Sequence, residues 1–274
     1  MSLTDIQFIF NRALSLTFVK KKLLLVFSLL VLCGLLVVFF RALSVNAGQW
    51  VLMSLSFLPL FLCAGILLSA GVLLIRIYHD EIKQRSIKYG EILLGSWEVI
   101  AGSSYFYIPI ILCYLLLWML LGIFVLLKQV PLVGEFFAVL LSFAPFLINL
   151  GSLALAVLSL AMLFLVAPIV ALNGLNRIRI SQILVNRLKM DPFSNFILGL
   201  FAILPLLLVL GLLLLAWVLT GTICYTCQEP AYVALQWFIM MIPFTAVLAP
   251  AIIFFFNFSA EAHVLMQRQI KLKQ

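Results

Sequence analysis

Cys224 and Cys227, in the stretch TICYTCQEP, carry the most evident chemical potential of this 274-residue chain. Two residues between cysteines suit a redox dithiol or half of a zinc site. A zinc site needs about four ligands, and no external segment offers a second cysteine pair or a histidine. The strand-to-helix setting of a thioredoxin-like dithiol is missing as well. In an oxidising external loop, a local disulfide between Cys224 and Cys227 or two unpaired thiols is the plainer expectation. Cys33, Cys63 and Cys113 fall in apolar runs and read as small hydrophobes.

A second group is charged. Arg76, His79, Asp80 and Glu81 stand together, and Glu261 and His263 stand near the far end of the chain. Brought together, they could bind a cation or shuttle a proton. A solvated flank beside the membrane is the simpler account. HExxH, phosphate-loop, dinucleotide and nucleophile-elbow patterns are all missing. The expectation is therefore a non-enzymatic protein with no catalytic residues, no metal site and no cofactor.

A third group is polar and neutral. Asn149, Gly151 and Ser152 follow Pro145, and Asn173 lies further along the same apolar run. Broken membrane helices build binding sites at their half-helix ends, so Asn149, Gly151, Ser152 and Asn173 are the candidate ligand residues. Helix-to-helix hydrogen bonds account for the same side chains equally well.

The elements that must position these residues follow from composition. Hydrophobic residues make up 66% of the chain and charged residues 9%, against about a quarter charged in a soluble protein. The apolar residues come in continuous runs of membrane-spanning length, which excludes the alternating strands of a transmembrane barrel. The expected fold is all-α, a single polytopic transmembrane helical bundle over 1–274. Six spans are expected at about 23–43, 50–75, 105–127, 149–172, 196–219 and 233–258. Amphipathic interfacial helices are expected at about 5–20, 87–103, 136–148 and 177–190. The uncharged run Phe136–Leu172 is longer than one span requires. It reads either as an interfacial or re-entrant helix followed by span four, or as two spans.

The net charge of +8 is not that of a nucleic-acid binder, because the basic residues sit in short clusters beside apolar runs. Fifteen of the 17 Lys and Arg residues fall on one side of the expected topology, leaving only Arg41 and Lys128 opposite. By the positive-inside rule, both termini are expected in the cytoplasm, with the protein multi-pass in the bacterial inner (plasma) membrane. Expected partners are membrane lipids and a homo- or hetero-oligomer, without nucleic acid. An amphipathic helix followed by an apolar hairpin recurs with starts near Asp5, Ile87 and Ile180. Ala167-Pro168 and Ala249-Pro250 fall at matching places in the second and third units. A threefold repeat accounts for this, as does the general abundance of Pro and Gly in membrane helices.

The stretches NRALSLTFVKKKLLLVFSLL, FLVAPIVALNGL, ISQILVNRL and SNFILGL give the chain a layout that resembles the membrane domain of glycerophosphodiester phosphodiesterases and related six-span bacterial membrane families. The resemblance covers most of the chain in layout, through motifs of low specificity. It implies a six-span bundle and not the phosphodiesterase activity, because the catalytic domain of those enzymes has no counterpart here. Spans without internal Asp, Glu, Lys or Arg weaken a transport reading, since transport usually leaves paired charges within spans. The leading expectation is a scaffold or accessory role. The alternative is a transporter or channel-like protein for a small or lipid-like substrate, which needs no buried charge.

Overall fold

The computed structural model describes residues 3–44, 47–84, 89–95, 97–128, 139, 142–220 and 230–273. Among them there is no strand. The elements are α1 (Leu3–Ser15), α2 (Lys20–Ser44), α3 (Gln49–Ile82), α4 (Tyr89–Gly95) and α5 (Trp97–Ser104). A 3-10 turn at Tyr105–Tyr107 leads into α6 (Ile108–Lys128). Then come α7 (Ala144–Asn173), α8 (Arg177–Met190), α9 (Pro192–Thr220) and α10 (Pro230–Lys273). Six segments are long and apolar enough to cross a membrane: Lys20–Ser44, Ser54–Ile82, Trp97–Leu127, Ala144–Asn173, Pro192–Thr220 and Ala234–Gln269. Runs such as IPIILCYLLLWMLLGIFVLLK have no polar face. In lipid they must satisfy their own backbone hydrogen bonds, and only the helix does so within one segment. The chain is an all-α, multi-pass integral membrane protein.

One or two short helices precede two long ones three times over: α1 before α2–α3, α4 and α5 before α6–α7, α8 before α9–α10. The long helices divide by position. The returning helices α3, α7 and α10 are 67%, 44% and 44% buried over their apolar windows, against 22%, 17% and 11% for the outgoing α2, α6 and α9. α3, α7 and α10 pack against one another, while α2 lies on α3 and α10, α6 on α7 and α3, and α9 on α10. Three returning helices thus make the centre, and the outgoing helices keep faces such as Leu204, Leu208 and Leu215 exposed. That burial concentrates at the basic end, around Leu68–Tyr78, Leu163–Ala171 and Ala249–His263.

Several boundaries have local causes. Pro145 lies in the first turn of α7, where its missing N–H deprives no carbonyl of a partner. The helix then continues through Asn149 and Gly151, so the expected break at these residues does not occur. Of the expected interfacial segment 136–148, residues 136–138, 140 and 141 lie outside the described residues, and from Ala144 the chain is already in α7. α7 ends at Gly174, whose φ of +76° favours glycine. The Asn176 side chain then caps α8 by accepting from the Arg179 N–H at 3.3 Å. At the C-terminal end α10 continues beyond the expected span 233–258 to Lys273. It buries Ser259, Glu261 and His263, because α1 and α8 lie against that turn.

A close approach in the centre is at Gly71. A Cβ there would come within 2.2–2.7 Å of three carbons of the buried Phe256 ring. The ring is rigid and enclosed, so Gly71→Ala is expected to destabilise by about 2 kcal/mol through overpacking. In a thermal unfolding scan in detergent this lowers the midpoint by roughly 5 °C. Gly34→Ala meets the Met241 side chain at 2.1 Å. That flexible side chain borders an apolar cavity of about 290 Å³ and can swing into it. Because Met241 Cγ, close to its backbone, also lies within 2.3 Å, the Gly34 variant should still lose about 1 kcal/mol, or roughly 3 °C, less than Gly71→Ala.

Candidate functional site

The polar groups of the bundle gather where α1, α2, α3, α8 and α10 meet at the basic end. Lys22, the third residue of α2, is fully buried. It forms an ion pair with Glu81 of α3, donates to the Leu16 carbonyl at 3.3 Å, and lies 5.3 Å from the centre of the Tyr78 ring. The Tyr78 hydroxyl donates to Glu261 Oε1 at 2.8 Å. Arg12 of α1 reaches the same oxygen at 3.4 Å. Two cations thus face two carboxylates, and the cluster is neutral overall. Asn257, one turn before Glu261, donates to the Ala13 carbonyl at 3.3 Å. Phe10 packs edge-on to Phe254 at 4.9 Å. α1 is therefore fastened to α10 by an ion pair, a hydrogen bond and an aromatic contact.

α8 is fastened to α10 at the neighbouring turn. Arg187, 1% exposed, donates from Nε to Asn195 Oδ1 at 2.7 Å and lies 3.2 Å from Nδ1 of the fully buried His263. Its guanidinium also covers the Phe164 ring at 5.4 Å. Asn195 returns bonds to the Arg187 and Asp191 carbonyls at 2.8 and 3.0 Å, closing the turn between α8 and α9. Burial pulls the Arg187 guanidinium down to about 10, which leaves it cationic at neutral pH. As an acceptor from Arg187, His263 Nδ1 must be unprotonated, which puts the ring proton on Nε2. That nitrogen and the second terminal nitrogen of Arg187 are buried without a hydrogen-bond partner among the described residues.

The expected charged group is thus divided. Glu81 pairs with Lys22, Glu261 with Tyr78 and Arg12, and His263 with Arg187. His79 and Glu261 share the wall of a small cavity of about 170 Å³. Arg76 donates to the Ala171 carbonyl at 3.1 Å, joining α3 to the end of α7. Lys22, Glu81, Glu261 and His263 are interior groups rather than a solvated flank. Among the described residues no set of three His, Cys, Asp or Glu side chains is placed to hold a metal ion.

The neutral candidates are not gathered. Asn149 and Asn173 lie 24 residues apart in one helix, about 36 Å along its axis. Asn149 and Ser152 line, with Ser54, Tyr114 and Trp118, a cavity of only about 10 Å³, room for about one water. Ser152 donates to the Ile148 carbonyl at 2.8 Å, and Asn173 to the Ile169 carbonyl at 3.2 Å. Gly151 lets Leu117 of α6 pack closely. Cys224 and Cys227 lie outside the described residues. Cys63 donates to the Cys33 carbonyl at 3.5 Å, both side chains being buried.

Arg12, Lys22, Tyr78, Arg187 and Asn195 carry the network and have no motif. Periodicity offered a partial signal: Arg187 falls on the apolar stripe of α8 with Ile180, Ile183 and Leu184, where a cation must be paired or hydrogen-bonded.

A lateral groove of about 860 Å³ lies between α5, α6 and α7, with Arg177 of α8 in its lining. It runs from Trp97, Glu98 and Arg177 past Tyr105 to Pro109 and Leu158. No family model matches the chain, and neither do the curated proteins or the solved structures with which it was compared.

Proposed function

We propose that this protein is a non-enzymatic scaffold or accessory factor of the bacterial inner membrane, with both termini in the cytoplasm. The observation that carries the reading is the double fastening of α1 and α8 onto one stretch of α10, Asn257–His263. Amphipathic helices that merely lie on a leaflet need no such tethers. Held this way, α1 and α8 form a fixed platform at the basic end, with Arg177, Arg179 and Lys189 exposed on α8. A platform of that charge suits docking against acidic protein surfaces beside an anionic leaflet.

The lateral groove favours a second reading, transport of a lipid-like substrate. Its mostly apolar walls need no buried charge, and it lies between the neighbouring helices α5, α6 and α7. The two readings separate in proteoliposomes carrying a headgroup-labelled fluorescent phospholipid, with dithionite added outside. The scaffold reading expects bleaching of the outer leaflet only, at the rate of protein-free vesicles. Bleaching that continues into the inner leaflet sinks it in favour of lipid transport.

The orientation has its own test. Reporter domains fused after Gly134 and after Thr226 should both read external, and one fused after Met190 should read cytoplasmic. A cytoplasmic reading at either of the first two positions would overturn the six-span, inside-in topology.

A further inference from the structure

From the lateral groove we infer a binding site for one phospholipid whose headgroup carries both a phosphate and a primary ammonium, as in phosphatidylethanolamine. Two opposite charges, Glu98 and Arg177, line the same groove. Both side chains are exposed, and neither has a partner among the described residues. Opposite charges that line one groove without pairing leave both valences open to a zwitterion. Arg177 supplies a planar donor fork for the phosphate, and Glu98 accepts from the ammonium.

The remainder of the groove suits an acyl chain. From Glu98 along α5, the 3-10 turn and the start of α6, its lining becomes apolar through Phe106 and Pro109, with Met162 of α7 opposite. Trp97 and Tyr105 stand 61% and 62% exposed, and such amphipathic rings sit at headgroup level in a bilayer. Gly102 forms part of the wall. A Cβ there would come within 2.5 Å of Leu175, so the glycine lets the strand of chain that carries Arg177 close against α5. The inference rests on this groove, which shares Arg177 with the platform formed by α1 and α8 but does not depend on the tethers that hold that platform to α10. A lipid held there statically is compatible with a scaffold, and one that exchanges is compatible with transport.

The test is native mass spectrometry of the full chain from micelles doped with equal amounts of phosphatidylethanolamine, phosphatidylglycerol and phosphatidylcholine of identical acyl chains. The parent protein should retain phosphatidylethanolamine about threefold over either competitor, the size of a partly exposed ionic contact. Glu98→Gln should remove the preference over phosphatidylglycerol while leaving total lipid retained. Arg177→Glu should reduce retention of all three, and Met162→Trp should do the same by filling the apolar part. The two charged positions are exposed, so their variants test the site even if the tryptophan variant misfolds. Three results would overturn the inference: equal retention of the three lipids, preference for phosphatidylglycerol (general attraction to the basic flank), or a preference unchanged in Glu98→Gln. None of them bears on the bleaching experiment, which tests the scaffold reading separately.

Discussion

Arg187→Met is expected to lower the thermal unfolding midpoint in detergent by on the order of 6–12 °C, from a loss of about 3 kcal/mol. The side chain is 1% exposed, and Asn195 Oδ1 at 2.7 Å and His263 Nδ1 at 3.2 Å both face its nitrogens. Methionine fills much of the volume and removes the desolvated charge, which by itself is favourable. It also strands two buried acceptors, and hydrogen bonds to a charged donor contribute about 1.5–3 kcal/mol each. The stranding outweighs the relief. Arg187→Lys should recover only part of the loss, since one ammonium replaces a rigid fork that reaches two acceptors at once. The sharper comparison is Arg187→Met with His263→Leu, which removes the donor together with one of its acceptors. That double variant should regain more than half of the midpoint lost by Arg187→Met alone. A double variant no better than the sum of its parts would show that Arg187 and His263 do not hold α8 to α10.

The bundle was legible because its signal is coarse. Apolar runs of about twenty residues correspond to a physical requirement that depends on few details. Helix continuity was less legible. Pro145, Asn149 and Gly151 carry the composition of a break, yet Pro145 sits where a helix tolerates proline and Gly151 serves close packing with Leu117. Composition alone does not separate the two uses. The polar network was the least legible part. Lys22 reads in sequence as the last of three flanking lysines, and Glu81 as one of several surface acids. Lys22 shares one face of α2 with the buried Val26 and Leu30 at four-residue spacing, which turns it inward while Lys20 and Lys21 stay exposed. That this face meets Glu81 of α3 is a tertiary fact without a local motif. The groove illustrates the same limit, because Glu98 and Arg177 stand 79 positions apart and meet only through Gly102 and Leu175.

Glu81→Gln is expected to be the most damaging of the single conservative changes at the basic end, lowering the unfolding midpoint by roughly 10 °C or more. The substitution keeps the shape of the side chain and removes only its charge. Lys22, with no exposed side-chain surface, would then hold an ammonium in the interior with only neutral partners, the substituted amide oxygen, the Leu16 carbonyl and the Tyr78 ring. Breaking one side of a buried pair costs about 3–5 kcal/mol. The Arg12–Glu261 pair gives the contrast. Arg12 is 37% exposed and Glu261 9%, so in Glu261→Gln solvent takes over the Arg12 charge while the amide oxygen still accepts from Tyr78, and that variant should cost under about 1 kcal/mol. Removing both buried charges reverses the argument. Lys22→Met combined with Glu81→Leu leaves no uncompensated ion, and apolar replacement of a buried pair is often neutral or stabilising. The double variant should therefore unfold near the parent midpoint while Glu81→Gln falls well below it. Equal losses in the two would mean that Lys22 and Glu81 are solvated at the bundle end, and the buried junction of α2 with α3 would have to be abandoned.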